Sequence, residues 1–135
     1  MSQENMEKFK VGLEAWNRRD IDALLKVLDP EVEWHPTLPV LLGGEGAVYR
    51  GHDGARRWLR DQTETFAHVH IEVRRIEDLG DRILSTGRLT ARGRASGASI
   101  ESPHAVLVDM KNGKATLIRT YLDIDEALEA AGLRE

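Results

Sequence analysis

The chain contains no cysteine among its 135 residues, which excludes disulfide bonds, thiol catalysis and metal sites built on thiolates. It has no excess of basic residues either, because 19 Lys and Arg stand against 23 Asp and Glu, giving a formal net charge of −4. A nucleic-acid-binding surface needs a basic patch, so no nucleic-acid partner is predicted. No apolar run approaches the length of a membrane span, and the first residues lack the apolar core of a leader. We therefore expect no membrane partner and a cytoplasmic protein.

The composition that is present is typical of a soluble globular protein, with 41% hydrophobic and 31% charged residues. A chain of this length can bury one hydrophobic core of ordinary size. The sequence therefore predicts a single domain over residues 1–135.

The stretch from Glu101 to Asp123 carries the strongest local signal. Two runs rich in Val, Leu, Ile, Thr and Tyr, 101–110 and 115–123, flank the dipeptide Asn112-Gly113. This dipeptide accepts positive φ values, so the pattern predicts a β-hairpin.

Polar residues recur along this hairpin with the period of two that places side chains on one face of a strand. His104 is in phase with three apolar residues of its run, and a second polar set shares one phase on the other run. The first set is His104 with Val106, Val108 and Met110, and the second set is Arg119, Tyr121 and Asp123. We expect these polar groups to turn inward onto one hollow, which is where chemistry would take place.

The rest of the chain predicts helices first and strands afterwards. Helical spacing of apolar residues indicates a helix over 3–18, a short one beginning at an Asp20 N-cap and ended by Pro30, and a third from an Asp53 N-cap to about Phe66. The other predicted elements are an early strand 31–35, a loop 37–51, strands 69–73 and 82–94, and a closing helix with Gly132 at its C-cap.

This order of elements is characteristic of the α+β class, with a curved antiparallel sheet wrapped around three N-terminal helices and a short C-terminal helix. Gly87 and Gly93 indicate a bulge or bend in the long strand. The loop 37–51 is rich in glycine and also apolar. Such a loop forms a lid or the rim of a pocket, or simply packs on the core.

Five motifs together resemble the SnoaL-like branch of the nuclear transport factor 2-like superfamily, which includes the ketosteroid isomerase-like proteins. The motifs are WNRRDIDAL, VEWHP, YRGHDGARRWL, NGK and YLDIDEALEAAGL. The resemblance implies a cone-shaped, cystatin-like α+β barrel with an apolar cavity at its wide end, and a homodimer formed through the outer face of the sheet. Isomerases, polyketide cyclases, epoxide hydrolases, dehydratases and non-catalytic modules share this fold, so the fold does not name a reaction.

Residue-by-residue comparison with the family gives a mixed result. His35, which precedes Pro36, stands where the ketosteroid isomerases have a base, whereas Gly12 and Ala105 stand where they have the two groups of the oxyanion hole. Steroid isomerase chemistry of the usual type is therefore not expected. Asp123 matches the position of a catalytic Asp in the polyketide cyclases of this family, and the Asp-Arg-Asp set of the epoxide hydrolases has no counterpart.

Four residues are the candidates for acid–base work and for polarising a substrate: His35, Asp123, Tyr121 and His104. A histidine titrates near neutral pH and suits proton transfer between carbon and oxygen. Each candidate has a structural alternative. Asp123 would cap the last helix, with Glu126 three residues later completing a capping box, and each histidine would bond to backbone. His35 and His104 lack the H-x-x-x-H or H-x-H spacing of a metal pair, so neither a metal nor another cofactor is predicted.

A second set of residues is predicted to contact the substrate, or else to form core and surface ion pairs. The set comprises Trp16, Trp34, Tyr49, Trp58, Arg88, Arg119, Val106 and Val108. The expected function is the binding of a small apolar organic ligand that carries a carbonyl or hydroxyl group. A cofactor-free isomerase, cyclase or dehydratase would act on such a compound by general acid–base catalysis. The alternative is a ligand-binding or dimerisation module without catalysis.

Overall fold

The computed structural model describes residues 2–37 and 48–133, without the side chain of Ser2. Most of the predicted loop 37–51 thus lies outside the described residues. The described helices are α1 (Ser2–Arg18), α2 (Ile21–Leu25), α3 (Gly51–Thr65) and α4 (Ile124–Ala130). The strands are β1 (Leu28–His35), β2 (Tyr49–Arg50), β3 (Phe66–Asp78), β4 (Arg82–Gly93), β5 (Ser99–Lys111) and β6 (Lys114–Tyr121).

Of the two predicted helix N-caps, the one at Asp20 is confirmed and the one at Asp53 is wrong. Asp20 is the N-cap of α2, because its side chain accepts a hydrogen bond of 3.1 Å from the Ala23 backbone N–H. Asp53 is not the N-cap of α3, since this helix begins at Gly51, where the backbone has a φ of 70°. Asp53 lies in the first turn and pairs with Arg56 at 2.9 Å.

One curved sheet holds all six described strands in the order β2-β1-β6-β5-β4-β3. The class prediction, α+β with a curved sheet, is confirmed, with two corrections. The pair β1–β6 is parallel, because β1, which follows α2 along the chain, lies beside the second strand of the hairpin and runs in the same direction. The sheet is also open within the described ranges, with β2 and β3 as its edges, so it does not form a barrel.

The hairpin that the sequence predicts is present. Asn112 and Gly113 connect β5 and β6 with φ values of 54° and 75°, the positive values that a two-residue turn of this kind requires. The register pairs Val106 with Thr120 and Val108 with Ile118. This pairing fixes which residues of the two strands face the helices and which face away.

The bend predicted at Gly87 also occurs. A Cβ atom at Gly87 would lie 1.9 Å from the Glu72 carbonyl oxygen, so only glycine fits where β3 crosses this position. The β3–β4 register shifts next to it, between Val73 and Arg75, which is the signature of a bulge. The bulge curves the sheet around α1.

The curved sheet separates two groups of buried apolar side chains. The larger group lies between the inner face of the sheet and α1, α2 and α3, and includes all three tryptophans. The smaller group lies on the outer face, where α4 covers Leu84, Ala105 and Leu107. No helix in the described ranges is both long enough and apolar enough to span a membrane.

Candidate functional site

A cavity of about 100 Å³ lies between the inner face of the sheet and the three N-terminal helices. Its lining is almost entirely apolar. The described lining residues are Lys8, Phe9, Gly12, Leu13, Trp16, Leu24, Val27, Leu28, Trp34, Pro36, Thr37, Trp58, Ile71, Ser85, Leu89, His104, Val106, Val108, Met110, Ala115, Ile118 and Thr120. A cavity of this size accommodates a ligand about as large as a single ring or a short chain.

The helices supply this space through one small residue. Gly12, in the middle of α1, lies so close to the segment that follows α2 that an added Cβ would be 3.1 Å from a methyl group of Val27. The absence of a side chain at Gly12 leaves room beside Trp16 and Phe9, which project from the same face of α1 into the cavity.

His104 is the polar group that stands out in the cavity. Its side chain is only 6% exposed, and its Nδ1 atom is buried without a hydrogen-bond partner in the described part of the chain. Burial lowers the pKa of His104 from 6.5 to about 4, because desolvation disfavours the charged imidazolium. The imidazole is therefore neutral at pH 7 and can offer a hydrogen bond to a ligand.

Other polar groups surround the same part of the cavity. Trp16 has a buried indole N–H without a described partner, and the Thr37 hydroxyl is in the same situation. The Thr120 hydroxyl donates a 2.6 Å hydrogen bond to the His35 carbonyl oxygen. Ser85, 2% exposed, also lines the cavity. These are neutral donors and acceptors, which suit an uncharged ligand.

Charged groups are scarce around the cavity. No carboxylate and no guanidinium group is among the described lining residues, and the only other ionisable group there is Lys8, an exposed residue. Within residues 2–37 and 48–133, no cluster of three or more His, Asp or Glu side chains is arranged to hold a metal ion.

Six of the residues predicted for the site line this cavity. They are His104 among the predicted catalytic residues, and Trp16, Trp34, Trp58, Val106 and Val108 among the predicted substrate contacts. The phase of His104 with Val106 and Val108 is what brings these three residues together on one face of β5.

The other predicted residues of the hairpin face the opposite side of the sheet, which corrects their expected direction. Thr120 and Ile118 face the cavity, so Arg119 and Tyr121 must point outward because side chains alternate along a strand. Tyr121 packs against the apolar group under α4. Arg119 is 3.6 Å from Asp109, and both side chains are about one-third exposed.

His35 also lies outside the cavity lining, because its neighbour Trp34 occupies the inward position of β1. The His35 ring nitrogen Nε2 is 2.8 Å from a carboxylate oxygen of Glu33, two residues earlier on the same face. Arg88 is likewise on the outer face of β4 and lies 3.7 Å from the Glu101 carboxylate.

Tyr49 is buried in the core but is not among the residues that line the cavity. Its ring packs at 5.3 Å from the ring of Trp58, and its hydroxyl donates a 2.8 Å hydrogen bond to Asp61. Burial and then this hydrogen bond raise the pKa of Tyr49 to about 12. Tyr49 thus supports Trp58, which does line the cavity.

Asp123 caps α4, as its structural alternative predicted. Its carboxylate accepts hydrogen bonds from the backbone N–H groups of Asp125 at 2.9 Å and Glu126 at 3.4 Å. The residue is exposed and lies beyond the end of β6. The arrangement is that of a helix N-cap on the outer side of the sheet.

The sequence analysis did not predict three uncharged polar residues of the lining, namely Ser85, Thr120 and Thr37. Ser85 and Thr120 are paired with Val106 from either side, so the three residues form one row across β4, β5 and β6. The period-two phase of Ser85 with Ile83 and Leu89 was a usable signal for its inward direction. Thr37 follows Pro36 after the end of β1, where the sequence carries no periodic pattern.

Replacing Asp123 tests its role as a cap. Asp123→Ala should lower the free energy of unfolding by about 1 kcal/mol, because two backbone N–H groups lose their acceptor, whereas Asp123→Asn should change it by a few tenths at most. Urea unfolding of the three proteins measures this difference. Equal losses for Ala and Asn would contradict the assignment and would indicate that the charge matters more than the cap.

The low pKa of His104 predicts a dependence of stability on pH. Because the unfolded chain binds a proton near pH 6.5 and the folded chain only near pH 4, this contribution is complete above pH 6.5 and is lost as the pH falls towards 4. Between pH 7 and pH 5 the wild type should lose about 2 kcal/mol more stability than His104→Phe, which has no titrating group there. Identical pH profiles of the two proteins in urea unfolding would show that His104 titrates normally.

The comparisons with known proteins agree with this architecture. The model of the SnoaL-like domain family matches residues 12–118. A nuclear transport factor 2-like protein of unknown function from Burkholderia pseudomallei is 25% identical, with 93% of this chain and 95% of that chain covered and a TM-score of 0.78. No curated protein matches the sequence.

Two further solved structures share the fold. TerC, co-crystallised with polyporic acid, is 24% identical over 93% of this chain and 96% of that chain, with a TM-score of 0.76. A protein with a ketosteroid isomerase-like fold from Catenulispora acidiphila, in complex with trimethylamine, is 16% identical over 94% and 93% of the two chains, with a TM-score of 0.75. Because the family model covers most of its length, this chain belongs to the SnoaL-like domain family.

Proposed function

We propose that this chain binds a small, mostly apolar organic molecule that carries a carbonyl or hydroxyl group. The observation that supports this most directly is His104, a neutral and buried imidazole whose Nδ1 has no described partner, in a cavity lined by apolar side chains. A buried polar group without a partner costs about 1–3 kcal/mol, so a ligand that satisfies it gains affinity and orientation.

The three tryptophans allow a direct binding test. The sequence contains three Trp residues, and Trp16, Trp34 and Trp58 all line the cavity, so every indole reports on its occupancy. Titration with a panel of small ketones, alcohols and alkylbenzenes should give a saturable change in fluorescence for the ligands that fit.

Val108→Phe should weaken the binding of these ligands by about tenfold or more, because the added ring occupies the cavity. Leu117→Phe, which adds a similar ring on the outer side of β6, is the matched control and should bind as the wild type does. Both variants are first shown to unfold cooperatively. Unchanged fluorescence with the entire panel, or equal affinity in Val108→Phe and wild type, would refute binding in this cavity.

Cofactor-free proton transfer at His104 is the second candidate function. It would comprise isomerisation, cyclisation or dehydration of the bound compound, as the family resemblance suggests. The supporting observation is that His104 is the one predicted catalytic residue among the described lining and is engaged neither in a cap nor in an ion pair. Its low pKa makes it a weak base in the empty cavity, so binding without catalysis is the simpler function.

The variant His104→Gln separates the two candidates. Glutamine keeps a hydrogen-bonding side chain of similar reach but cannot transfer a proton at neutral pH. If His104 is catalytic, turnover of any substrate found should fall by about 10² or more while binding stays within a few fold of wild type. Turnover that survives the substitution would assign the chemistry to another group.

The resemblance also implies a homodimer through the outer face of the sheet, and we include it in the proposal. Part of that face is already covered, because α4 packs over Leu84, Ala105 and Leu107. A dimer would therefore use the outer face of β3 and β4 that α4 leaves open, where Arg88 pairs with Glu101.

A further inference from the structure

The two ends of the cavity differ in polarity, as the strand register shows. Along β5, the inward side chains run from His104 through Val106 and Val108 to Met110. Six residues of extended strand span roughly 20 Å, so His104 and Met110 mark opposite ends of the cavity. The row at Val106 contains Ser85 and Thr120, whereas the rows nearer Met110 contain only apolar side chains.

The direction in which α1 crosses the sheet places Trp16 at the more polar end of the cavity, as hydrogen bonds near the two ends of the helix show. Near its start, the Asn5 side chain donates to the Gly80 carbonyl oxygen, at the turn end of β4. Near its end, Asn17 exchanges two 3.2 Å hydrogen bonds with the backbone of Ile71. Ile71 pairs with Leu89, which lies two residues after Gly87 on β4, and Gly87 is the residue that pairs with His104. Trp16 therefore lies at the His104 end of the cavity.

Among the described residues that line the cavity, Trp16 and His104 bring two unsatisfied polar atoms to this same end. The buried indole N–H of Trp16 and the Nδ1 atom of His104 both lack described partners, and each side chain is only 6% exposed. The opposite end is formed by Phe9, Met110 and Ala115, with the exposed Lys8 beside it.

The polar end also disfavours charged ligands. A carboxylate or ammonium group placed there would be buried without a partner of opposite charge, since no described carboxylate or guanidinium lines the cavity. The indole N–H can only donate, so it requires an acceptor atom on the ligand. A neutral carbonyl oxygen meets both conditions.

Resting on the proposed function, we infer that the cavity binds an uncharged ketone or aldehyde in one direction, with its carbonyl oxygen at Trp16 and His104 and its apolar tail towards Met110 and Ala115. Trp16 is then the specificity-determining residue, because its N–H distinguishes an oxygen acceptor from a hydrocarbon. A monocyclic compound with a short tail matches the volume of about 100 Å³.

Acetophenone and ethylbenzene test the polar end, because they have nearly the same shape and differ in the carbonyl group. Calorimetric titration of the wild type should show tighter binding of acetophenone, and benzoate should not bind. Trp16→Phe removes the N–H and keeps an aromatic ring. This substitution should weaken the binding of acetophenone by about fivefold more than the binding of ethylbenzene, which corresponds to the loss of one hydrogen bond.

The direction of binding is tested at the other end. Ala115→Val should weaken the binding of 4′-propylacetophenone and leave the binding of acetophenone nearly unchanged, because only the longer tail reaches Ala115. Met110→Phe is a second variant with the same expected selectivity, in case Ala115→Val does not fold. Leu117→Phe, on the outer face, should alter neither ligand.

The outcomes separate the two levels of the proposal. If neither acetophenone nor ethylbenzene binds the wild type, the proposed binding of such ligands fails together with this inference. If both bind, but Trp16→Phe weakens them equally or Ala115→Val affects both ketones equally, the cavity binds ligands without the inferred direction. The inference alone is then overturned.

Discussion

The alternation of side chains along the β5–β6 hairpin is the constraint on which the site depends. The two-residue turn at Asn112 and Gly113 fixes the register, and the register decides that His104, Val108 and Thr120 face the helices. A shift by one residue would bring Arg119 and Tyr121 inward and expose the core-facing residues to water. The large apolar surface buried against α1, α2 and α3 makes that alternative unfavourable. The chemistry available to the cavity is therefore a consequence of packing.

Much of the fold was predictable because its signals are local. Helical periodicity, the Asp20 cap and the Asn-Gly turn each depend on a few adjacent residues, and the helices, the cap and the turn are all present. The predicted end of the second helix at Pro30 was wrong, since α2 ends at Leu25 and Pro30 lies within β1. The predicted start of α3 at Asp53 was wrong, since Gly51 supplies the positive φ at which the chain enters the helix. The parallel pairing of β1 with β6 was also missed, because no local pattern specifies a contact between residues more than 80 positions apart.

Residues of the site were predictable from the sequence only where the alternation of side chains along a single strand was sufficient to assign their direction. His104, Val106 and Val108 were assigned to one face from their spacing, and they line the cavity together. Assigning Arg119 and Tyr121 to the same hollow required the cross-strand register as well. The pairing of Val108 with Ile118 shows that these two residues belong to the opposite phase. Asp123 illustrates a different limit, since a capping box and a catalytic carboxylate have the same local sequence.

An apolar cavity holds His104 in its neutral form and leaves Nδ1 available to a ligand. The most direct test is a ¹⁵N NMR titration of the imidazole nitrogens in the folded protein, with His104 assigned by comparison with His104→Gln. The His104 signals should remain those of a neutral ring until the pH approaches 4. A transition near the ordinary value of 6.5 would show that water or a charged group reaches the ring, and that the cavity does not keep His104 desolvated and neutral.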